Sequence, residues 1–259
     1  MASLIEGRDH TFNASASAFG GHVELPFERV IAAQAPVALS PDGGYTTART
    51  DNFSVEGFFS FKSAYTQVSG IISKKRPGWT TLTTSVVEGL NISEILTADR
   101  VVAQIITEHP ASKGKYAPFV NFVGTRFDNL RIGGALLDVT LNLGLCKPAK
   151  ADQHGYPGHA TLKDAAFLKR VKSAREYNSS VSENQVLCSL FESVKITGNL
   201  PATRDKNVFT IPGFGKITLA ELSVEANHYR LSMLRLQLGS PLVGHVSIGN
   251  GETNGRTDP

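Results

Sequence analysis

The chain has little of what usually announces chemistry. Two cysteines in 259 residues, Cys146 and Cys188, are too few to frame a disulfide-dense miniprotein. They also stand in no CxxC or Cys/His pattern that would hold zinc. Charged residues make up 19% of the chain, against roughly 25% in an average soluble domain, which excludes a disordered polyampholyte or a coiled coil. No run approaches the ~18 apolar residues of a membrane helix, and the start, Met-Ala-Ser-Leu-Ile-Glu-Gly-Arg, lacks the charged-then-apolar order of a signal peptide. Gly-x-Ser-x-Gly, GxxxxGK[ST], HExxH and EF-hand patterns are all missing. Gly213-Phe214-Gly215 lacks the third glycine of a dinucleotide loop and follows Pro212, so it reads as a turn. Glu24 and Glu28 are paired carboxylates that spacing alone does not place in one cleft, so a glycosidase reading has nothing to build on.

What is abundant favours strands and turns: 24 glycines, 14 phenylalanines and dense Thr/Ser stretches. From Asn52, Phe53, Val55, Phe59 and Phe61 share one face, with a bulge or close approach expected at Gly57. The threonine-rich run from Trp79 to Val87 reads as a strand whose β-branched hydroxyl residues tolerate water. His22 to Glu28 reads as an edge strand because Pro26 cannot donate to a ladder. Between Leu90 and Leu96 a loop with one helical turn is expected, then a strand at 100–107. Leu137, Val139, Leu141, Leu143 and Leu145 alternate with polar residues, the pattern of a sheet with one wet face. Leu231 and Met233 keep one phase and Leu234, Leu236 and Leu238 the other, which places a bulge at Met233-Leu234.

Strands at this spacing without βαβ alternation predict an all-β, single-domain antiparallel sandwich or barrel, with a β-solenoid as the alternative and one helix-bearing insertion. The domain spans 9–250, the insertion 147–178, and the Gly/Asn-rich residues 251–259 read as an exposed tail. Ile5-Glu6-Gly7-Arg8 matches a protease recognition sequence used in recombinant expression, so 1–8 is either native or a scar.

The formal charge of +3 is uneven. Between Cys146 and Tyr177 lie seven basic and three acidic residues, an excess of four, which leaves the rest of the chain at −1. Loop residues give way there to a helix capped by Thr161 or Asp164, with Phe167, Leu168, Val171 and Ala174 as its apolar stripe. The two cysteines bracket this segment, either as a disulfide closing the excursion or as two half-buried thiols. The most site-like group is His154-Gly155-Tyr156-Pro157-Gly158-His159 beside the basic helix. His154, Tyr156, His159, Lys169 and Arg170 are accordingly the candidate ligand-binding residues, for an anion or a glycan. Competing readings are an ordered surface loop, or two metal ligands lacking a third. No catalytic residue, metal site or cofactor is assigned. Nucleic acid is disfavoured because the basic residues lack an aromatic base-stacking set.

Three stretches carry a resemblance. Thr84-Ser85-Val86-Val87-Glu88-Gly89-Leu90-Asn91-Ile92 followed by Leu96-Thr97-Ala98-Asp99-Arg100-Val101-Val102 is one, Phe127-Asp128-Asn129-Leu130-Arg131-Ile132-Gly133-Gly134 the second, and Ile211-Pro212-Gly213-Phe214-Gly215-Lys216-Ile217-Thr218-Leu219 the third. In order and spacing, over about residues 80–250, they resemble the choice-of-anchor P family of bacterial surface proteins. The resemblance implies an all-β, extracellular or envelope-associated protein with no assigned catalytic residues; the insertion at 147–178 departs from its pattern. The resulting expectation is a non-enzymatic surface or matrix protein that self-associates as a homo-oligomer or assembly, or contacts a glycan or acidic polymer. A small-ligand-binding or catalytic β-barrel is the alternative.

Overall fold

The computed structural model describes residues 10–73, 78–111, 117–148, 150, 158, 160–226, 228–239 and 242–257. The N-terminal strands are β1 (His10–Thr11), β2 (Ala14–Leu25), β3 (Arg29–Gln34) and β4 (Val37–Ala38). Four long strands follow: β5 (Gly44–Val55), β6 (Phe59–Ile72), β7 (Gly78–Ile92) and β8 (Leu96–Pro110). Short ones come next, β9 (Phe119–Asn121), β10 (Arg126–Asp128) and β11 (Arg131–Ile132), then β12 (Ala135–Leu141). The insertion carries a 3₁₀ turn (Thr161–Lys163) and helix α1 (Ala165–Ser173), and is followed by β13 (Ser180–Val181), β14 (Val186–Ser189), β15 (Phe191–Thr197) and β16 (Thr203–Asp205). The chain closes with β17 (Val208–Ile211), β18 (Gly215–Glu225), β19 (His228–Leu238), β20 (Val243–Thr253) and β21 (Arg256–Thr257).

Two antiparallel sheets face each other. The first runs β15-β12-β11-β8-β7-β6-β5, with β9 and β10 also on β8; the second runs β13-β14-β18-β19-β20-β2-β3, with β17 on β18 and β4 on β2. Neither sheet closes on itself, so the architecture is a sandwich, and the barrel and solenoid alternatives fall away. The chain changes sheet at Leu190, where β14 ends in the second sheet and β15 begins in the first. Ser189 holds that corner by donating to the carbonyls of Leu219 and Ala220 at 2.8 and 2.9 Å.

Several local expectations are corrected. Phe53 and Val55 pair across a hairpin with Phe61 and Phe59, so Gly57 (φ 71°) is its turn rather than a bulge. Ser93 and Glu94, at φ 52° and 58°, make the tight β7–β8 turn where a helical turn was expected. Pro26 sits in the connection after β2, not inside an edge strand. β12 stops at Leu141, and Leu145 and Cys146 are both buried in the turn beyond it. The expected exposed tail is structured: β20 continues to a buried Thr253, and β21 pairs with β1.

The two sheets approach closely at one end because the facing residues are small. β2 presents Ala14, Ala16 and Ala18 inward, and β7 presents Thr81, Thr83 and Ser85. These threonines therefore face the interior, not water. A Cβ placed on Gly251 of β20 would lie 3.1 Å from Thr83 Cγ2. The buried hydroxyls bond across the gap: Ser85 Oγ donates to the Ser17 carbonyl at 3.0 Å, and Thr107 Oγ1 meets Thr253 Oγ1 at 3.2 Å. Large aromatics, Phe19, Phe59, Phe191 and Phe209, fill the other part of the core.

A transverse crease separates these two regions. Asn52, Lys62, Gly89 and Asp99 form one row across β5 to β8, each unmatched between pairs whose register is otherwise continuous. Ala220, Met233, Gly249 and Ala18 form the equivalent row across β18, β19, β20 and β2. Every second residue in each row is left-handed: Asn52 (φ 53°), Gly89 (62°), Ala220 (50°) and Gly249 (66°). Side chains change phase at this row, so the switch read at Met233-Leu234 extends across four strands of each sheet and involves no slip of register. Gly249 leaves a side chain little room, its Cβ position lying 3.1 Å from Met233 Cβ and 3.3 Å from Val101 Cγ1, contacts that the neighbours would have to relax. Gly249→Ala is expected to lower stability in urea titration by about 2 kcal/mol or more, combining left-handed strain with that contact.

A second, smaller core of Phe12, Ala14, Ala16, Val37, Leu39, Val68, Trp79 and Ala111 lies under β1 and β21. Phe12 fits only because Gly70 faces it: a Cβ there would lie 2.5 Å from its ring. His10 stacks on Trp79 at 5.0 Å between ring centroids and stands 4.8 Å from His109. Burial lowers the pKa of His10 to about 4, and burial followed by the His10 charge lowers that of His109 to about 3. In the unfolded chain both titrate near 6.5. Their stability contribution is thus complete above pH 6.5 and is lost as pH falls toward 4, where the unfolded chain binds protons that the fold refuses. At about 1.4 kcal/mol per unit the loss is of order several kcal/mol, mostly from the more deeply buried His109. Urea midpoints measured from pH 7 to 4 should fall accordingly, and His109→Gln should flatten that dependence.

Candidate functional site

The basic insertion, where sequence placed the candidate site, is stitched into the fold. Asp164 caps α1 by accepting from Ala166 N at 2.8 Å and Phe167 N at 3.3 Å. Phe167 and Val171 are fully buried in the main core. The 3₁₀ turn docks on β19 through Thr161 Oγ1 and Tyr229 Oη, 2.5 Å apart. Arg170 donates to the carbonyls of Leu145 and Lys147 at 3.0 and 2.9 Å, so its guanidinium holds the turn that carries Cys146. Lys169 is exposed. His154, Tyr156 and His159 lie outside the described residues. A pocket of about 260 Å³ opens beside α1, lined by Asn142, Leu145, Arg170, Arg175, Tyr177 and Glu192 among others.

Cys146 and Cys188 are free, buried thiols. Burial pushes Cys146 up to about 12, partly relieved by Arg170, and pushes Cys188 well above the ordinary thiol range, aided by Cys146. Burial likewise raises Tyr177 and Tyr229. None of these groups is activated for nucleophilic work at neutral pH.

A site that sequence reasoning missed lies on the outer face of the second sheet. A groove of about 380 Å³ is bounded by Ser15, Ser17, Pro36, Val37, Arg230, Ser232, Asn250 and Glu252. Asn250 is its hub: Oδ1 accepts from Ser232 Oγ at 2.8 Å, and Nδ2 donates to Ser247 Oγ at 3.1 Å and Ser17 Oγ at 3.5 Å. Residues 247 and 250 share a face of one strand only because the crease at Gly249 lies between them. Glu252 binds both Arg230 and His228 at 3.0 Å, setting a charged rim beside the hydroxyls. Convergent hydroxyl, amide and guanidinium groups suit a polyhydroxylated or carboxylated ligand. Nothing in the sequence pairs Ser17 with Asn250, since they meet through strand partners at opposite ends of the chain.

Farther along the same two strands, His22 and His245 stand directly opposite each other, with ring centroids 6.0 Å apart. The nearest ligand atoms of His22, Glu24 and His245 all lie within 4.8 Å of one another, and Glu28 reaches His22 Nε2 at 3.8 Å. Glu24 and Glu28, unplaced by sequence, thus converge on one imidazole.

The opposite sheet contributes an edge. β5 is 12 residues long, mostly exposed, and pairs only with β6 among the described residues. Tyr45 and Tyr65, 65% and 40% exposed, share the outer face of this hairpin.

The fold and these surfaces define a class: an antiparallel β-sandwich with a polar outer face and an open edge. The chain belongs to the family described as Domain of unknown function (DUF8256), whose model matches residues 10–184. That span supplies β2 to β4 and β13 of the second sheet, whose other strands follow it. No curated protein and no solved structure matches the chain.

In thiol titration with a disulfide reagent and no reductant, the folded protein is expected to react slowly or not at all, and the denatured protein to yield two thiols. A Cys146–Cys188 disulfide would give none in either state.

Proposed function

We propose that this protein is a non-enzymatic structural or binding protein of the cell surface or extracellular matrix, acting through contacts with copies of itself or with an extracellular polymer. The observation that carries the reading is β5, a long edge strand with one side unpaired among the described residues. Such an edge presents main-chain donors and acceptors to any strand that approaches it, a ready means of β-augmentation. Exposed tyrosines beside it supply the amphipathic area common at interfaces. The Arg49–Asp51 ion pair and the break at Asn52 limit open-ended pairing, as natural edges do, and favour a defined contact over aggregation. The hydroxyl-rich groove around Asn250 supports polymer contact, its donors and acceptors matching the hydroxyl and carboxylate groups of a glycan.

Light scattering coupled to size exclusion is expected to give a mass above the 27.8 kDa monomer. Lysines at two exposed positions of β5, Tyr45→Lys with Thr47→Lys, should return the protein to a monomer while stability changes by no more than about 0.5 kcal/mol. A wild-type protein that stays monomeric at high concentration, together with no retention on polysaccharide, would overturn the proposal.

A further inference from the structure

The geometry points to a divalent transition-metal site, suited to Zn²⁺, formed by His22, Glu24 and His245 on the outer face of the second sheet. This differs from the sequence expectation, which assigned no metal, and it is independent of the self-association proposed above. Two imidazoles and one carboxylate form a borderline-soft donor set that favours zinc, nickel or copper over calcium or magnesium.

The backbone brings the donors together. His22 and His245 are matched partners on β2 and β20. The two strands come close on either side of this pair because glycines flank it. A Cβ on Gly21 would lie 2.3 Å from the His245 carbonyl, and one on Gly244 would lie 2.2 Å from the His22 carbonyl. Glu24 is the extra residue of a bulge: Val23 pairs with Gly244 and Leu25 with Val243, leaving Glu24 unmatched. Bulges re-aim side chains, and this one turns the carboxylate toward the two rings. The crease acts on both strands as well. On β2 the outward phase changes from Ser15 and Ser17 to His22 and Glu24; on β20 it changes from Asn250 and Glu252 to His245 and Ser247.

The donor atoms lie within 4.8 Å of one another. Tetrahedral bonds of about 2.1 Å require roughly 3.4 Å between ligand atoms. Small rotations of half-buried or exposed side chains on fixed strands close that difference. Three protein ligands leave a coordination position for water or for a group from a bound ligand. Glu28, 84% exposed and 3.8 Å from His22, is placed to orient that imidazole.

The test is calorimetric titration of tag-free, chelator-treated full-length protein with ZnCl₂, repeated with NiCl₂. One saturable site per chain is expected, with a rise in thermal midpoint on metal addition. His245→Ala, at an exposed position, and His22→Ala should each weaken binding at least about tenfold. His228→Ala, which removes another histidine beside a carboxylate, should leave it unchanged. Circular dichroism of each variant, matching that of the wild type, separates loss of a ligand from loss of fold. Absence of saturable binding at micromolar metal, or binding that survives His245→Ala undiminished, would overturn the proposal.

Discussion

The structure depends on how closely its two sheets meet where β2 and β20 face β7 and β8. Sheets usually pack about 10 Å apart because branched and aromatic side chains fill the gap. Here alanine, serine, threonine and glycine fill it, and the hydroxyls that come with small residues must be satisfied in the dark. They bond across the interface, Ser85 to the Ser17 carbonyl and Thr107 to Thr253. A slip of one residue in any of these strands would turn the hydroxyls away from their partners and bring outward polar groups inside, so the interface fixes register as well as spacing. It also joins the two ends of the chain, since β2 and β20 are neighbours and β1 pairs with β21 just beyond them.

The same close approach makes the crease necessary. Farther along, the core must accommodate Phe19, Phe59, Phe191 and Phe209, and strands that kept one phase would carry their small residues into that space. A row in which every second residue is left-handed lets each strand change phase without changing partners. The exchange of faces has an outer counterpart: serines and Asn250 face solvent on one side of the row, histidines and Glu24 on the other. Core packing and surface chemistry are thus set by one backbone device, which is why positions without a side chain, Gly249 above all, matter to both.

The all-β class was legible, because the alternation of apolar and polar residues is a local property, and so was the helix, whose cap is Asp164 rather than Thr161, the other candidate. The phase change at Met233-Leu234 was also visible, but its extent was not. Only pairing reveals that Gly249 and Ala18 stand in the same row. Thr81 and Thr83 misled because β-branched hydroxyl residues suit wet faces and tight interfaces equally. The insertion attracted attention through its charge, yet charge records only that the side chains reach water. Arg170 is spent on two carbonyls, a role no spacing encodes. The outer-face groups escaped notice because His22 and His245, or Ser17 and Asn250, become neighbours through a sheet that joins distant parts of the chain.

The candidate surfaces are divided between the sheets. The open edge and its tyrosines belong to β5 and β6, whereas the Asn250 groove and the histidine pair lie on β2 and β20 of the opposing sheet. Between them stands an interface whose hydroxyl bonds resist sliding. An edge contact on the first sheet therefore leaves the outer face of the second uncovered, and a chain held in an assembly through β5 still presents its groove and histidines to solvent. If the proposed contact forms, each joined copy presents the same polar face, and weak contacts with a polymer gain strength when repeated.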